Sequence, residues 1–296
     1  MLQKIVYTIF GVAIALLFFP RAARDSNQQN QLTVLGLSTG SYPASPELAS
    51  SVTPPNLSSK AAMAYDLDSG TILFTQNFDE QLPIASLTKL MTAMVAAKNS
   101  QLDEAVMVKH SDVKVVGSSM GLVPGERISV RDLLYGVLIS SSNDASLALA
   151  NHKSPTEEFI AAMNEEAKRL NLQSTKFSNP VGWDYADNYS TAHDLSLLVN
   201  EFLKYEELSR IVRIKEAELR SLDGKYSHKL TTTNKLLIDN DAVTGIKTGF
   251  TSQAKGNLVL RIENHGRSII TIILGSDDRE GDSKKLLDWI TQVYRW

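Results

Sequence analysis

The spacing of hydrophobic residues changes along the chain and predicts strands near both ends of the folded part. Residues 61–67 and 71–74 are largely apolar and are separated by Asp68-Ser69-Gly70, which is typical of a β-hairpin with its turn at Ser69-Gly70. Residues 257–262 and 268–274 repeat this arrangement around Asn264-His265-Gly266. We therefore expect two hairpins, separated by most of the chain.

Between the hairpins, apolar residues recur at intervals of three and four, which predicts helices. The predicted helices are 86–98, 130–139, 144–151, 156–170 and 192–204, with a last amphipathic helix over 283–295. Strands at both ends of a helical middle predict a mixed α/β (α+β) fold. In that fold an antiparallel sheet is flanked by helices, and further helices form a subdomain.

The first 60 residues follow neither pattern. Residues 5–19 form an uncharged, mostly apolar run that fits a secretory signal and is shorter than the ~20 residues of a standard transmembrane helix. Arg21 and Asp25 spoil the small-residue pairs of a cleavage site around Ala22 and Ala23, which favours an uncleaved anchor. Residues 25–60 are rich in Ser, Gln, Asn, Pro and Thr and predict a flexible linker.

These boundaries divide the chain into a signal or anchor segment (1–24), a flexible linker (25–60) and a folded domain (61–296). We expect export to the cell envelope, with residues 5–19 holding the protein at the outer face of the cytoplasmic membrane. The flanking charges do not decide the orientation, because Arg21 and Arg24 outnumber Lys4. Cleavage of the segment stays open.

Composition narrows the range of functions. The net charge is −3 and the basic residues are scattered, so nothing favours nucleic acid as a partner. The sequence contains no cysteine, which excludes disulfides and thiol catalysis. The five histidines lie far apart without the spacing of metal ligands, so we expect structural or surface roles for them and predict no metal or cofactor.

Three short motifs carry the candidate chemistry: Ser86-Leu87-Thr88-Lys89, Ser141-Ser142-Asn143 and Lys247-Thr248-Gly249. A Ser-x-x-Lys pattern alone should occur by chance about once or twice in a chain of this length. Indeed, Ser111…Lys114 and Ser252…Lys255 also fit it. Neither of these two opens an apolar helix, so we expect both to lie on the surface.

Ser86 and Lys89 are three residues apart at the start of a predicted helix, so their side chains would share one face. A serine hydroxyl is a poor nucleophile until a base takes its proton. Lysine can be that base only if burial or a nearby positive charge lowers its pKa, and Lys247 is a candidate for that charge. The alternative for Ser86 is an ordinary helix cap, and the same alternative applies to Ser141, Asn143 and Asp144.

The three motifs, in this order, are the signature of serine penicillin-recognising enzymes. The stretches 83–93, 139–146, 179–182, 189–195 and 245–251 resemble the D-alanyl-D-alanine carboxypeptidases, the low-molecular-mass penicillin-binding proteins. The resemblance runs from about Ala61 to Trp296 and implies a fold like that of the DD-peptidases and β-lactamases, with a cleft between sheet and helices. Ser142 departs from the family, which usually has Gly there.

The resemblance implies catalytic roles for three residues. Ser86 would be the acylated nucleophile and Lys89 its base, while Ser141 would relay a proton to the leaving amine. The backbone N–H groups of Ser86 and Phe250 would form the oxyanion hole.

Substrate binding is expected from the second and third motifs. The resemblance implies that Asn143 holds a substrate amide and positions Lys89. Lys247 and Thr248 can bind a carboxylate through charge and hydroxyl, and Gly249 lets a substrate backbone approach closely. Some relatives carry His where this chain has Phe250.

We therefore expect a serine-type D-Ala-D-Ala carboxypeptidase that trims peptidoglycan stem peptides and is inhibited by penicillin and other β-lactams. A D-alanyl-D-alanine endopeptidase is the main alternative, favoured by Phe250 and by the expected lack of the β-rich domain that many relatives carry after the final helix. A class A β-lactamase is a weaker alternative, because residues 178–184 offer no glutamate to activate the deacylating water. The last alternative is a non-catalytic protein that binds the cell wall.

Overall fold

A computed structural model describes residues 45–184, 187–264 and 266–296. The strands in these residues are β1 (Glu47–Leu48), β2 (Ala61–Asp66), β3 (Ile72–Gln76), β4 (Leu82–Pro83), β5 (Ala105–Met107), β6 (Arg127–Ser129), β7 (Tyr189–Ser190), β8 (Glu216–Arg220), β9 (Ser227–Thr231), β10 (Val243–Thr251), β11 (Lys255–Asn264), β12 (Arg267–Ser276) and β13 (Tyr294–Arg295). The helices are α1 (Thr88–Asn99), α2 (Val130–Leu138), α3 (Asn143–Ala150), α4 (Thr156–Arg169), α5 (Ala192–Phe202), α6 (Glu206–Ile211), α7 (Lys235–Asp239) and α8 (Arg279–Val293).

Five strands form the central antiparallel sheet in the order β10-β11-β12-β2-β3. Both predicted hairpins are confirmed, and they meet where β2 pairs with β12, with Met63 opposite Ile272. Strand β2 is buried along its whole length because the sheet is covered on both faces. Ala62 and Ala64 pack towards Leu286 and Ile290 of α8, while the other face of the strand joins the main core with α1 and α5. The predicted α+β architecture is therefore confirmed.

The five middle helices lie where the sequence predicts them, within two residues at each end. The last helix differs, because α8 begins at Arg279 instead of residue 283 and ends at Val293. Asp278 caps it by accepting a hydrogen bond from the backbone N–H of Gly281 at 2.9 Å, which supplies the start that hydrophobic spacing did not reveal. Residues 294–295 leave the helix and pair with β1.

The second half of the predicted linker, from residue 45 onwards, packs against the folded domain. Strand β1 pairs with β13, and Leu57 is buried against Ala62 and Ala64. Ser58 donates from its backbone N–H and its hydroxyl to the buried carboxylate of Asp282, at 3.1 and 2.8 Å. The prediction of a flexible linker reaching residue 60 is wrong for this part, because its polar side chains find partners on α8.

The predicted signal or anchor segment, 1–24, and linker residues 25–44 lie outside the described residues. In the part of the chain that the structure describes, no helix has both the length and the apolar character needed to cross a membrane.

Candidate active site

Ser86 lies in a single 3₁₀ turn, Ala85–Leu87, that leads directly into α1. The prediction that Ser86 itself opens the α-helix is off by two residues, since α1 begins at Thr88. Leu87 occupies the cap position and makes no side-chain cap bond, so the alternative role of Ser86 as a helix cap is not observed. Its hydroxyl instead accepts a hydrogen bond from Lys89 Nζ at 2.9 Å.

Lys89 is completely buried on the first turn of α1. Its Nζ donates to Ser86 Oγ and, at 2.8 Å, to the carbonyl oxygen of Val181. Burial lowers the pKa of Lys89 well below 10.5, and the positive charge of Lys247 lowers it further. Both causes were anticipated from the sequence, and both favour the neutral amine that a general base requires.

The Val181 carbonyl is aimed at Lys89 by the loop 179–183. Asn179 Oδ1 accepts hydrogen bonds from three successive backbone N–H groups, those of Val181, Gly182 and Trp183, at 2.7–3.2 Å. Gly182 has φ +88°, and a Cβ placed there would overlap the carbonyl oxygen of Ala85. The sequence alone predicts no role for this motif. In the structure it braces the nucleophile turn and orients the base.

The second motif occupies the tight connection between α2 and α3. Ser141 has φ +59°, and its hydroxyl accepts a hydrogen bond from Lys247 Nζ at 2.8 Å. Ser142 is fully buried and lies 2.7 Å from the Ser140 hydroxyl, which accounts for a serine where the family usually has Gly. Asn143 is the first residue of α3 and donates from Nδ2 to the Val116 carbonyl at 2.6 Å.

Asp144 is the second residue of α3 and not its N-cap, although its Oδ1 also accepts the backbone N–H of Ala145 at 2.9 Å. Its carboxylate accepts hydrogen bonds from the backbone N–H groups of Met120, Gly121 and Leu122, at 3.0–3.1 Å, and from the Ser119 hydroxyl at 2.5 Å. It therefore holds the segment that runs beside Asn143.

The third motif lies on β10, the edge strand of the sheet, as predicted. Lys247 is buried, and its Nζ contacts both Ser141 Oγ and the Thr248 carbonyl. Burial, followed by the charge of Arg279, lowers the pKa of Lys247 to about 7. Gly249 packs so closely on the nucleophile turn that an added Cβ would lie 3.1 Å from the backbone nitrogen of Ser86. This approach brings the β10 backbone to Ser86, which the expected oxyanion hole requires.

Two contributors were missed from the sequence. Arg279, the first residue of α8, donates from Nη1 to the Gly249 carbonyl at 2.8 Å. Thr233 lies just after β9, and its hydroxyl is 2.6 Å from that of Thr248. Neither belongs to a recognisable motif, because each reaches the site through the packing of an element distant in sequence.

The structure brings the three motifs together, since Lys89 contacts Ser86, Lys247 contacts Ser141, and Gly249 packs on the nucleophile turn. Phe250, next to Gly249, is 68% exposed. A cavity of about 280 Å³ lies beside the nucleophile turn and is lined by Ala85, Gly182, Asp184 and Gln253, not by the motif residues themselves. The two other Ser-x-x-Lys sequences lie elsewhere, with Ser111 bonded to its neighbour Asp112 and Ser252 exposed in the turn after β10. The roles of the site residues stay predictions, while the contacts of Lys89 with Ser86 and of Lys247 with Ser141 are observed. The expected contact between Asn143 and Lys89 is not observed, because the Asn143 amide bonds to the Val116 carbonyl and Lys89 to Ser86 and Val181.

Similarity to known proteins agrees with this geometry. A family model described as D-alanyl-D-alanine carboxypeptidase matches residues 48–278. The carboxypeptidase DacF of Bacillus subtilis is 33% identical over 245 residues, covering 79% of this chain and 62% of its own length. The D-alanyl-D-alanine endopeptidase of Escherichia coli is 32% identical, covering 82% of this chain and 80% of its own length.

The Streptomyces K15 DD-transpeptidase crystal structure superposes with a TM-score of 0.77 at 29% identity. The match covers 82% of this chain and all of that one. The chain spans less than two thirds of the length of DacF. By the extent of the family match and by its relatives, the chain belongs to the D-alanyl-D-alanine carboxypeptidase family.

Proposed function

We propose that the protein is a serine-type D-Ala-D-Ala carboxypeptidase that removes the terminal D-alanine from peptidoglycan stem peptides. One observation carries the proposal: a buried lysine amine with a lowered pKa lies 2.9 Å from the hydroxyl of Ser86, a residue that is partly exposed to solvent. No catalytic metal or cofactor enters this proposal.

Acylation begins when Ser86 Oγ attacks the carbonyl carbon of the scissile bond and its proton passes to Lys89 Nζ. The tetrahedral oxyanion forms between the backbone N–H groups of Ser86 and Phe250, which the close packing of Gly249 keeps near each other. Val181 keeps a hydrogen bond to Lys89 throughout, so the amine stays aimed while its protonation changes.

Expulsion of D-alanine requires a proton on the leaving nitrogen. Ser141 Oγ can donate its hydrogen to that nitrogen and take another from Lys247 Nζ, which already donates to it at 2.8 Å. Water then attacks the acyl-enzyme ester and passes one proton to Ser86 Oγ, and the shortened peptide leaves as a carboxylate. The proton that Lys89 took in acylation is released and Lys247 takes one up from solvent, which restores both lysines for the next cycle. A β-lactam would acylate Ser86 by the same attack.

The free carboxylate of the substrate would bind on the β10 side of the cleft. Lys247, Thr248 and Arg279 supply two cations and a hydroxyl there. Replacing the terminal carboxylate of a pentapeptide stem by an amide should cost about 1.5–3 kcal/mol in transition-state binding, the range for a hydrogen bond to a charged group.

The carboxypeptidase proposal predicts a higher kcat/KM for a pentapeptide stem than for a cross-linked dimer, measured by mass analysis of the released products. The second candidate is a D-alanyl-D-alanine endopeptidase, which the similarity to the E. coli endopeptidase over 80% of that protein favours. Faster cleavage of the dimer, with indifference to the terminal amide, would establish the endopeptidase instead.

The two buried lysines predict a bell-shaped dependence of kcat/KM on pH. Activity should rise as Lys89 loses its proton, at a pH well below 10.5, and fall around pH 7 as Lys247 loses the charge that binds the carboxylate. Arg279→Gln removes a positive charge beside Lys247, so the falling limb should move to higher pH. Arg210→Gln, in a surface ion pair with Glu207 on α6, is the control. If the falling limb of the Arg279→Gln profile lies at the same pH as in the wild type, the assignment of that limb to Lys247 is contradicted.

We further propose that residues 5–19 anchor the enzyme to the outer face of the cytoplasmic membrane. The support is the apolar run itself, the poor cleavage site after it and the polar residues that follow. Amino-terminal sequencing of the native protein should find residue 1 or 2. A mature start between residues 22 and 60 would exclude the anchor and leave export intact.

A further inference from the structure

We propose that His228 and Glu126 form a buried positioning pair that fixes Asn143 for substrate binding. The pair acts through residues 116–126, which we call the Asn143 wall, and it touches no substrate itself. The inference rests on the proposed function, since it concerns the same cleft.

The pair is defined by three hydrogen bonds between buried groups. His228 on β9 has Nδ1 3.0 Å from the Met120 carbonyl oxygen and Nε2 2.6 Å from Glu126 Oε1. The second carboxylate oxygen, Oε2, accepts the backbone N–H of Val123 at 3.0 Å. Both side chains are almost fully buried. A carbonyl only accepts, so Nδ1 carries a hydrogen, and one further proton lies between Nε2 and the carboxylate.

These bonds hold the far end of the Asn143 wall, residues 120–126. The near end, residues 116–119, contacts Asn143. Asn143 donates from Nδ2 to the Val116 carbonyl at 2.6 Å and from its backbone N–H to the Ser118 carbonyl at 2.8 Å. Gly117 lies so close that an added Cβ would be 3.0 Å from Asn143 Nδ2. The rotation of the Asn143 amide is therefore set by where the wall lies.

The near end of the wall has little core of its own. Residues 116–119 are exposed, with Val116 at 82%, so hydrogen bonds and not apolar packing determine their position. Asp144 on α3 bonds to Ser119 and to the backbone of residues 120–122, and the His228–Glu126 pair holds Met120 and Val123 in the same stretch. The far end of the wall is also bonded to Val108, so the pair is the attachment that ties the wall to the β8–β9 hairpin.

The pair also joins the two sides of the cleft. The β8–β9 hairpin that carries His228 continues to Thr233, whose hydroxyl bonds to that of Thr248 and whose N–H bonds to the Ile139 carbonyl at 3.2 Å. One side of this link sets Asn143 and the other sets the Thr248 hydroxyl. A buried pair of ionisable groups is a poor source of stability compared with apolar packing, so a positioning role explains why these polar groups lie here.

The test compares Glu126→Ala with Glu126→Gln in the full-length protein. The glutamine amide can donate to the unprotonated Nε2 while its oxygen still accepts the Val123 N–H, so both bonds survive. We expect Glu126→Ala to slow acylation by fluorescent penicillin, and to lower kcat/KM for a pentapeptide stem, by roughly tenfold or more. Glu126→Gln should stay within about twofold of the wild type, since the hydrogen bonds are kept.

Two further variants separate positioning from general stability. Glu166→Ala removes a nearly buried carboxylate that bonds to Lys98 at the other end of α1, nine residues or about 13 Å from Lys89. It should lower the thermal unfolding midpoint without slowing acylation. In an Asn143→Ala background, Glu126→Ala should cost little more, because the residue through which the pair acts is already gone.

If Glu126→Ala does not fold, His228→Gln takes its place, because a glutamine there cannot reach Met120 and Glu126 together. The inference is overturned if Glu126→Ala acylates at the wild-type rate, if Glu126→Gln falls as far as Glu126→Ala, or if the effects of Glu126→Ala and Asn143→Ala are additive. A wild-type protein that reacts with penicillin but releases no D-alanine would instead contradict the proposed function, and the acylation rates would still test the pair.

Discussion

Replacing Ser86 by alanine should abolish covalent labelling by fluorescent penicillin and reduce D-alanine release by at least about 10⁴-fold, because nucleophile and base act as a unit. The hydroxyl that accepts from Lys89 Nζ at 2.9 Å is the atom that forms the ester. The measurement is in-gel fluorescence together with the mass of the acylated peptide. The fold should be unaffected, because the Ser86 side chain makes no cap bond in α1.

The two chance Ser-x-x-Lys sequences provide matched controls for this experiment. Ser111→Ala and Ser252→Ala should both keep the full label, since neither serine lies in the cleft. A label that survives Ser86→Ala and maps to Ser111 or Ser252 would show that the nucleophile has been misassigned.

Removing the Lys89 amine should be comparably damaging to catalysis, and replacing Lys89 by methionine should make the protein more stable. Lys89→Ala and Lys89→Met should both slow acylation by on the order of 10³-fold or more, because the base is lost. Lys89→Met should also raise the thermal unfolding midpoint at pH 7, since a methionine fills the space of a buried lysine without its desolvation cost.

The sign of this stability change follows from the lowered pKa of Lys89. The unfolded chain binds a proton at this residue up to about pH 10.5, while the folded chain releases it at a much lower pH. Stability of the wild type is therefore lost as pH falls from 10.5 towards the folded pKa, and Lys89→Met escapes that loss. The gain of the variant should shrink as pH rises towards 10.5.

Lys98→Met is the control for the stability measurement, because Lys98 lies on the same helix with a half-exposed side chain paired with Glu166. It should bring no comparable gain. Equal stability of the wild type and Lys89→Met across this pH range would contradict the burial of a neutral amine.

The hydrophobic pattern was sufficient to predict the sheet hairpins and the five central helices, because each of those elements contributes apolar residues to the core. It failed for short strands that are buried on one face only. Strands β8 and β9 expose a polar or charged residue at every second position, and these two strands were not predicted from the sequence. Asp223-Gly224 between them is a typical hairpin turn, so turn chemistry would have revealed what apolar spacing did not.

The candidate site shows the same division. Ser86, Lys89, Ser141 and Lys247 could be predicted because their chemistry depends on short fixed spacings. Arg279, Thr233 and the Val181 carbonyl could not, since each acts through one long-range contact that no local pattern encodes. The end of the linker was predicted wrongly for a related reason. A serine such as Ser58 in a polar stretch is expected to be solvent-exposed, and its hydrogen bond to the buried Asp282 cannot be predicted from neighbouring residues.

The sheet order has a consequence for how a newly made chain reaches its active form. Strand β2 is synthesised early but pairs with β12, which lies about 200 residues later in the chain. One edge of β2 therefore stays unpaired until most of the chain has been made. Until then Ala61–Asp66, an apolar strand buried on both faces in the finished protein, presents unpaired backbone groups. Chains stopped before Arg267 would keep this edge open and tend to aggregate, and they would also lack Arg279. Penicillin binding during synthesis should therefore appear only when the last thirty or so residues become available to fold.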